Sequence, residues 1–157
     1  MAKDLQYFMR ASAKEHEIIE VPGLDTIKDK DGNVIPFKIK VLHQDEITSI
    51  YDKYKTKKVL YDKKGKPVVN NGKAVYSEET DGQKALNRII VESLVYPDLK
   101  DKELMEFFNC HSYDDMPTKV FPTGKEYLAV QNMVMDALGM AGDDDEDDIS
   151  EIEEAKN

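Results

Sequence analysis

Tryptophan is missing from the 157-residue chain, and cysteine occurs once, at Cys110. A lone cysteine excludes an internal disulfide framework. No run approaches the roughly 20 apolar residues that cross a bilayer. The segment Met1–Glu17 lacks the apolar core of a signal peptide. No membrane association is expected, and an intracellular location follows. Positive charge is outnumbered, 22 Lys and Arg against 32 Asp and Glu, and the formal net charge is −10. The final sixteen residues, GDDDEDDISEIEEAKN, hold nine carboxylates against Lys156, a net −8, which leaves residues 1–141 about −2. The chain reads as a nearly neutral body with an acidic appendix. An exposed acidic surface repels phosphates and forfeits the counterion release that drives DNA affinity, so no nucleic-acid partner is expected.

About 140 residues suit one domain with a real core. The expected organisation is one α+β domain over 1–141 and a disordered acidic tail over 142–157. The tail lacks the apolar surface needed to offset its ordering entropy.

Within the body, Leu5, Phe8 and Met9 share a face, so residues 3–15 predict a short helix. EIIEVPGL predicts a strand stopped by Pro22 and Gly23. In KDKDGNVIPFKIKVL, Asp31-Gly32 supplies a tight turn. Beyond it, Ile35, Phe37, Ile39 and Val41 alternate with Pro36, Lys38 and Lys40, the period of a half-buried strand. Pro36 has no N–H for a ladder, which predicts an edge position. Ile47, Ile50, Tyr51 and Tyr54 then fall on one helix face. Asp45 and Glu46 open that helix and lysines close it, matching the helix dipole. VLYDKKGKPVVNNGKAVY predicts a hairpin or meander turning at Gly65-Lys66-Pro67 and Asn71-Gly72. From Asp81 the period is helical, with Leu86, Ile89, Ile90 and Leu94 on one stripe and Pro97 as the stop. Asp98 is placed to cap LKDKELMEFF. NCHSYDDMPTKVFP reads as a polar connection. Thr123, with Glu126 at capping-box spacing, opens the last helix. Tyr127, Val130, Val134 and Leu138 line its apolar face, and Gly139 stops it. The sum is a small antiparallel sheet from N-terminal hairpins, a helical C-terminal half and the tail.

Motifs of chemistry are few. Cys110-His111 has no second ligand pair at zinc spacing, so no metal is expected. Asp29, Asp31 and Gly32 fit a calcium loop only if Ile27 and Lys38 were acidic, so the segment is a hairpin turn. Gly65-Lys66 lacks the run of a phosphate loop. No nucleophile elbow or acid–base pair stands out, and neither catalysis nor a cofactor is expected. Lys53, Lys55, Lys57, Lys58, Lys63, Lys64 and Lys66 form a basic segment. It is either a docking patch for an acidic partner or tail, or a solvated helix end and hairpin. Met116, Met133, Met135 and Met140 make either an adaptable partner surface or ordinary core.

The order of pieces resembles a known family. GQKALNRIIVESLVYPDLKDKELMEFFNC, then DDMPTKVFPTGKEYLAVQNMVMDALGM, is similar to the XkdN-like tail assembly chaperones of long-tailed phages and prophages of Gram-positive bacteria. So is the hairpin DKDGNVIPFKIKVL with its acidic-start helix. The likeness spans roughly residues 5–140. It implies a non-enzymatic chaperone of the host cytoplasm that coats the helical tape measure protein until tail tube subunits displace it. It also implies a longer form made by a −1 ribosomal frameshift. Ala155-Lys156-Asn157 allows the codons GCA AAA AAC, which contain a slippery heptamer. A homo-oligomer stays open. Partner contacts are assigned to Leu86, Ile90, Leu94, Tyr127, Val134 and Leu138, the stripes that would otherwise form the core. Repulsion between acidic tails would keep a coated filament soluble. The competing reading is an acidic phage-encoded inhibitor or DNA mimic.

Overall fold

The computed structural model describes residues 2–10 and 15–140. The acidic tail, for which composition predicts disorder, lies outside the described residues, as do residues 11–14. The fold is α+β, as the periodicities predict.

Strand β1 (Ile18–Val21) pairs antiparallel with β2 (Phe37–Lys40), in register Ile19 to Ile39 and Val21 to Phe37. The alternation in FKIK works as expected, because Phe37 and Ile39 are buried and Lys38 faces out. The edge position expected from Pro36 does not follow. Pro36 precedes β2, and β2 is the central strand of three. The third strand is β7 (Leu94–Tyr96). Leu94 is therefore no helix residue. The helix stops at Ser93, one turn before Pro97, and LVY, rich in β-forming side chains, continues as strand.

Between β2 and β7 lie α1 (Gln44–Lys53), an extended hairpin arm, and α2 (Gly82–Ser93). Ile47 and Ile50 bury the expected face of α1. The arm is β3 (Lys55–Val59) paired with β6 (Tyr76–Thr80), tipped by β4 (Val69–Asn70) and β5 (Lys73–Ala74). Two five-residue loops, DKDGN and DKKGK, are built alike. Asp29 Oδ1 accepts from the amides of Asp31 and Asn33, and Asp62 Oδ1 from those of Lys64 and Lys66. Gly32 and Gly65 sit at φ +82° and +80°, a region side chains rarely enter.

Helix α2 is the axis of the core. Ala85, Asn87, Ile89, Ile90, Val91 and Ser93 are all buried on it. Around it pack the sheet, α1, and the C-terminal elements α3 (Lys102–Phe107), α4 (Met116–Val120) and α5 (Gly124–Ala137). The cap of α3 is Asp101, whose carboxylate accepts from Leu104 N. Asp98, the expected cap, instead closes a turn onto Lys100 N. The stretch expected to be a polar connection holds α4, with Met116 and Phe121 buried. Five residues are too short to display a period, which hid it. Thr123 caps α5 by accepting from Glu126 N at 3.2 Å. The N-terminal segment takes a 3₁₀ form over Ala2–Phe8, shorter than expected, with Leu5, Phe8 and Met9 exposed.

Gly23 fits where no side chain would. A Cβ there would lie 1.9 Å from the backbone oxygen of Ile35. Gly23→Ala should therefore lower unfolding free energy by about 2 kcal/mol or more. Gly82→Ala, at the open start of α2, should be neutral or stabilising by up to about 1 kcal/mol. Urea melts of the two variants check the contrast.

Candidate partner-binding surface

Three features outside the core could carry function: the arm, a cleft beside α5, and a polar seam along α2.

The arm bears the basic segment. Lys57 faces Glu78 across the strands, and Lys58 Nζ lies 2.7 Å from Glu79 Oε2. Lys55 Nζ lies 3.0 Å from Asp52. Both lysines are raised above the ordinary lysine value, first by the hydrogen bond to their acid and then by its charge. Within the basic segment Lys58 is thus paired by the partner strand and Lys55 by Asp52 of α1. Among its exposed lysines and acids the arm also presents large apolar side chains. Tyr61, Val69 and Tyr76 are 65%, 59% and 55% exposed. No residue of β3 to β6 joins the hydrophobic core.

A cleft of about 240 Å³ separates the Gly23–Thr26 turn from α5 and is lined by Leu24, Ala129 and Met133 with Lys125 and Glu126. Met116, by contrast, is core, while Met140 is 37% exposed.

The seam pairs much of the buried polarity along α2, although Asp114 Oδ1 and Ser93 Oγ have no hydrogen-bond partner among the described residues. Tyr127 donates to Asn87 Oδ1 at 2.5 Å and accepts from Gln83 Nε2. Asn87 Nδ2 donates to the Asp114 carbonyl at 3.0 Å. Tyr54 donates to Asp114 Oδ2 at 2.5 Å, while Asp114 Oδ1 meets only Arg88 Nη1 at 3.6 Å. Arg88 also bonds Glu92 at 2.9 Å and lies over the Tyr113 ring, and Lys100 reaches Glu92 at 2.6 Å. Burial, then the Asp114 hydrogen bond and charge, push Tyr54 up to about 12, so it stays a donor. Burial pushes Glu92 up, but Lys100 and Arg88 together outweigh it and hold the carboxyl below the ordinary value. Every member is engaged by a structural neighbour.

The residues assigned to the partner from sequence divide in two. Ile90, Leu94 and Val134 are at or below 3% exposure, inside the core. Leu86, Tyr127 and Leu138 pack against its margin. Sequence reasoning passed over Tyr61, Val69 and Tyr76 because single apolar residues in a turn-rich segment carry no period. Cys110 is buried with its thiol on the Ser112 carbonyl, and His111 is exposed. Among the described residues one group, His16, His43 and Glu46, brings three ligand atoms within 4.8 Å of one another.

A depressed carboxyl stabilises the fold above its unfolded value and loses that contribution as pH falls through the folded one. Glu92 should thus contribute fully above its ordinary 4.5 and fade below it. Glu92→Gln should lower stability at neutral pH and flatten the acid limb of a Tm-against-pH curve below about pH 4.5.

No helix among the described residues is long and apolar enough to cross a membrane. Residues 5–156 match the model of the phage XkdN-like tail assembly chaperone protein family. The uncharacterised protein YqbN of Bacillus subtilis strain 168 is 32% identical over 97% of this chain and 91% of its own. The phage-like element PBSX protein XkdN of the same strain is 32% identical over 98% and 94%. The crystal structure of the protein YqbN superposes with a TM-score of 0.61 at 28% identity, covering 81% of this chain and 88% of that one. A match that runs through the sheet, the arm and the C-terminal helices alike places the whole described domain, and the chain belongs to the XkdN-like family of phage tail assembly chaperones.

Proposed function

We propose that the chain binds the tape measure protein in the host cytoplasm and keeps it soluble until tail tube subunits replace it. The family match over residues 5–156 is the observation that supports this most. The chemistry of the task agrees with the surface. A long helical protein exposes apolar stripes that aggregate unless covered. A cover that must later be stripped off should grip with a few exposed apolar side chains rather than a deep pocket. Tyr61, Val69 and Tyr76 on the arm supply such a grip, and they are exposed without any opening of the core. Leu86, Tyr127 and Leu138 extend the surface at the domain margin. Ile90, Leu94 and Val134 serve by holding that margin in place.

Co-expression with the tape measure protein should raise its soluble yield several-fold. The triple variant Tyr61→Ser, Val69→Ser, Tyr76→Ser should stay folded, since exposed substitutions rarely change stability by more than about 0.5 kcal/mol, yet lose most of that effect. Equal soluble yield with and without the chain would overturn the reading.

A further inference from the structure

Two histidines far apart in sequence meet at the start of α1. The imidazole rings of His16 and His43 stack with centroids 4.4 Å apart and planes 17° apart. His16 Nε2 lies 2.5 Å from Glu46 Oε1, and His43 Nδ1 lies 3.7 Å from the same oxygen. The other nitrogen of His43, Nε2, is 3.0 Å from the Glu15 carbonyl. Donation to that carbonyl leaves the Nδ1 lone pair directed to the Glu46 side. Metal-binding histidines are oriented in the same way, by an outer hydrogen bond from the nitrogen that does not ligate.

The carboxylate is equally prepared. The His43 amide donates to Glu46 Oε1 at 3.1 Å, the backward half of a capping box. The side-chain and amide bonds at Glu46 fall on Oε1. All three side chains are about one-third exposed, so an ion can enter from solvent and keep water ligands.

We propose that His16, His43 and Glu46 form a binding site for a zinc-class divalent ion, completed by water. Two imidazoles and one carboxylate are the donor set that such ions take with an open position. Ligand atoms around a tetrahedral zinc lie about 3.3 Å apart, given metal–ligand bonds of about 2.0–2.2 Å. The His43 pair at 3.7 Å already approaches this spacing. The His16 pair at 2.5 Å needs to open by about 1 Å as the ion takes the place of the hydrogen bond, and the rings, one-third exposed, must turn out of their stack so that both in-plane lone pairs reach it. The bound ion would pin the segment ahead of β1 to the N-terminus of α1. Two hydrogen bonds already dock that segment: Val41 N donates to the Glu17 carbonyl, and the His43 ring donates to the Glu15 carbonyl.

Calorimetric titration of the tag-free full chain with zinc chloride tests this, with thermal melts alongside. One equivalent should bind. Zinc at tenfold over its Kd should raise Tm by about 3–6 °C. His16→Ala and Glu46→Gln should each weaken zinc binding at least tenfold; glutamine keeps the capping reach. Melts without zinc show that both variants fold. His111→Ala should bind like the parent. Absence of binding by the parent at micromolar zinc, or affinity unchanged in both His16→Ala and Glu46→Gln, would overturn the site. Stoichiometric binding lost only in His111→Ala would overturn it as well, by moving the ion to the Cys110-His111 turn.

Discussion

Helix α2 is buried on so many sides that it cannot keep its polar groups in water, and the arrangement of the C-terminal half answers that constraint. Asn87 lies at 7% exposure in the middle of the apolar residues Ala85, Ile89, Ile90 and Val91. A buried amide without partners costs several kcal/mol. Here its oxygen takes the Tyr127 hydroxyl of α5 and its amide donates to the Asp114 backbone. Apolar packing alone would allow α5 to slide along α2. These directed bonds fix its position, and through Asp114 they bring in Tyr54 at the end of α1. One side chain on the axis thereby sets the register of three surrounding elements.

How much of this the sequence carried depended on the range of the interaction. The face of α1 was legible because Ile47 and Ile50 report their burial through local spacing. So was the Thr123 cap, whose bond spans three residues. The FKIK alternation was legible for burial but not for rank in the sheet, because its second neighbour arrives from Leu94, far along the chain. Leu94 itself was misread for a physical reason. Its side chain continues the apolar stripe of α2, and only pairing with β2 shows that the backbone has changed state. Asp98 and Asp101 are both good caps at the level of composition; their backbone geometry separates them. The His16–His43–Glu46 group was invisible, since its members are scattered and no fixed spacing announces them. The candidate partner residues were half legible. The stripes are real, but burial assigns their centres to the core and leaves the accessible apolar side chains on an arm with no periodicity.

The distribution of charge follows the same division of labour. Near the core, ions are used in a connected set, Lys100 with Glu92 with Arg88, each partly shielded from solvent. On the arm, lysine meets glutamate in open water, where each pair is worth little and salt weakens it. The family match runs through both parts.

That contrast makes the molecule mechanically uneven. A two-stranded ribbon without apolar backing is barely stable by itself in water, and β3 with β6 is such a ribbon, stitched by opposite charges and anchored at α1 and α2. Rising ionic strength would loosen the stitching and leave the body intact. Amide protection would then fall into two tiers. Under the proposed function, a partner seated on that limber tier would spend part of its binding free energy stiffening it, which would keep the grip reversible.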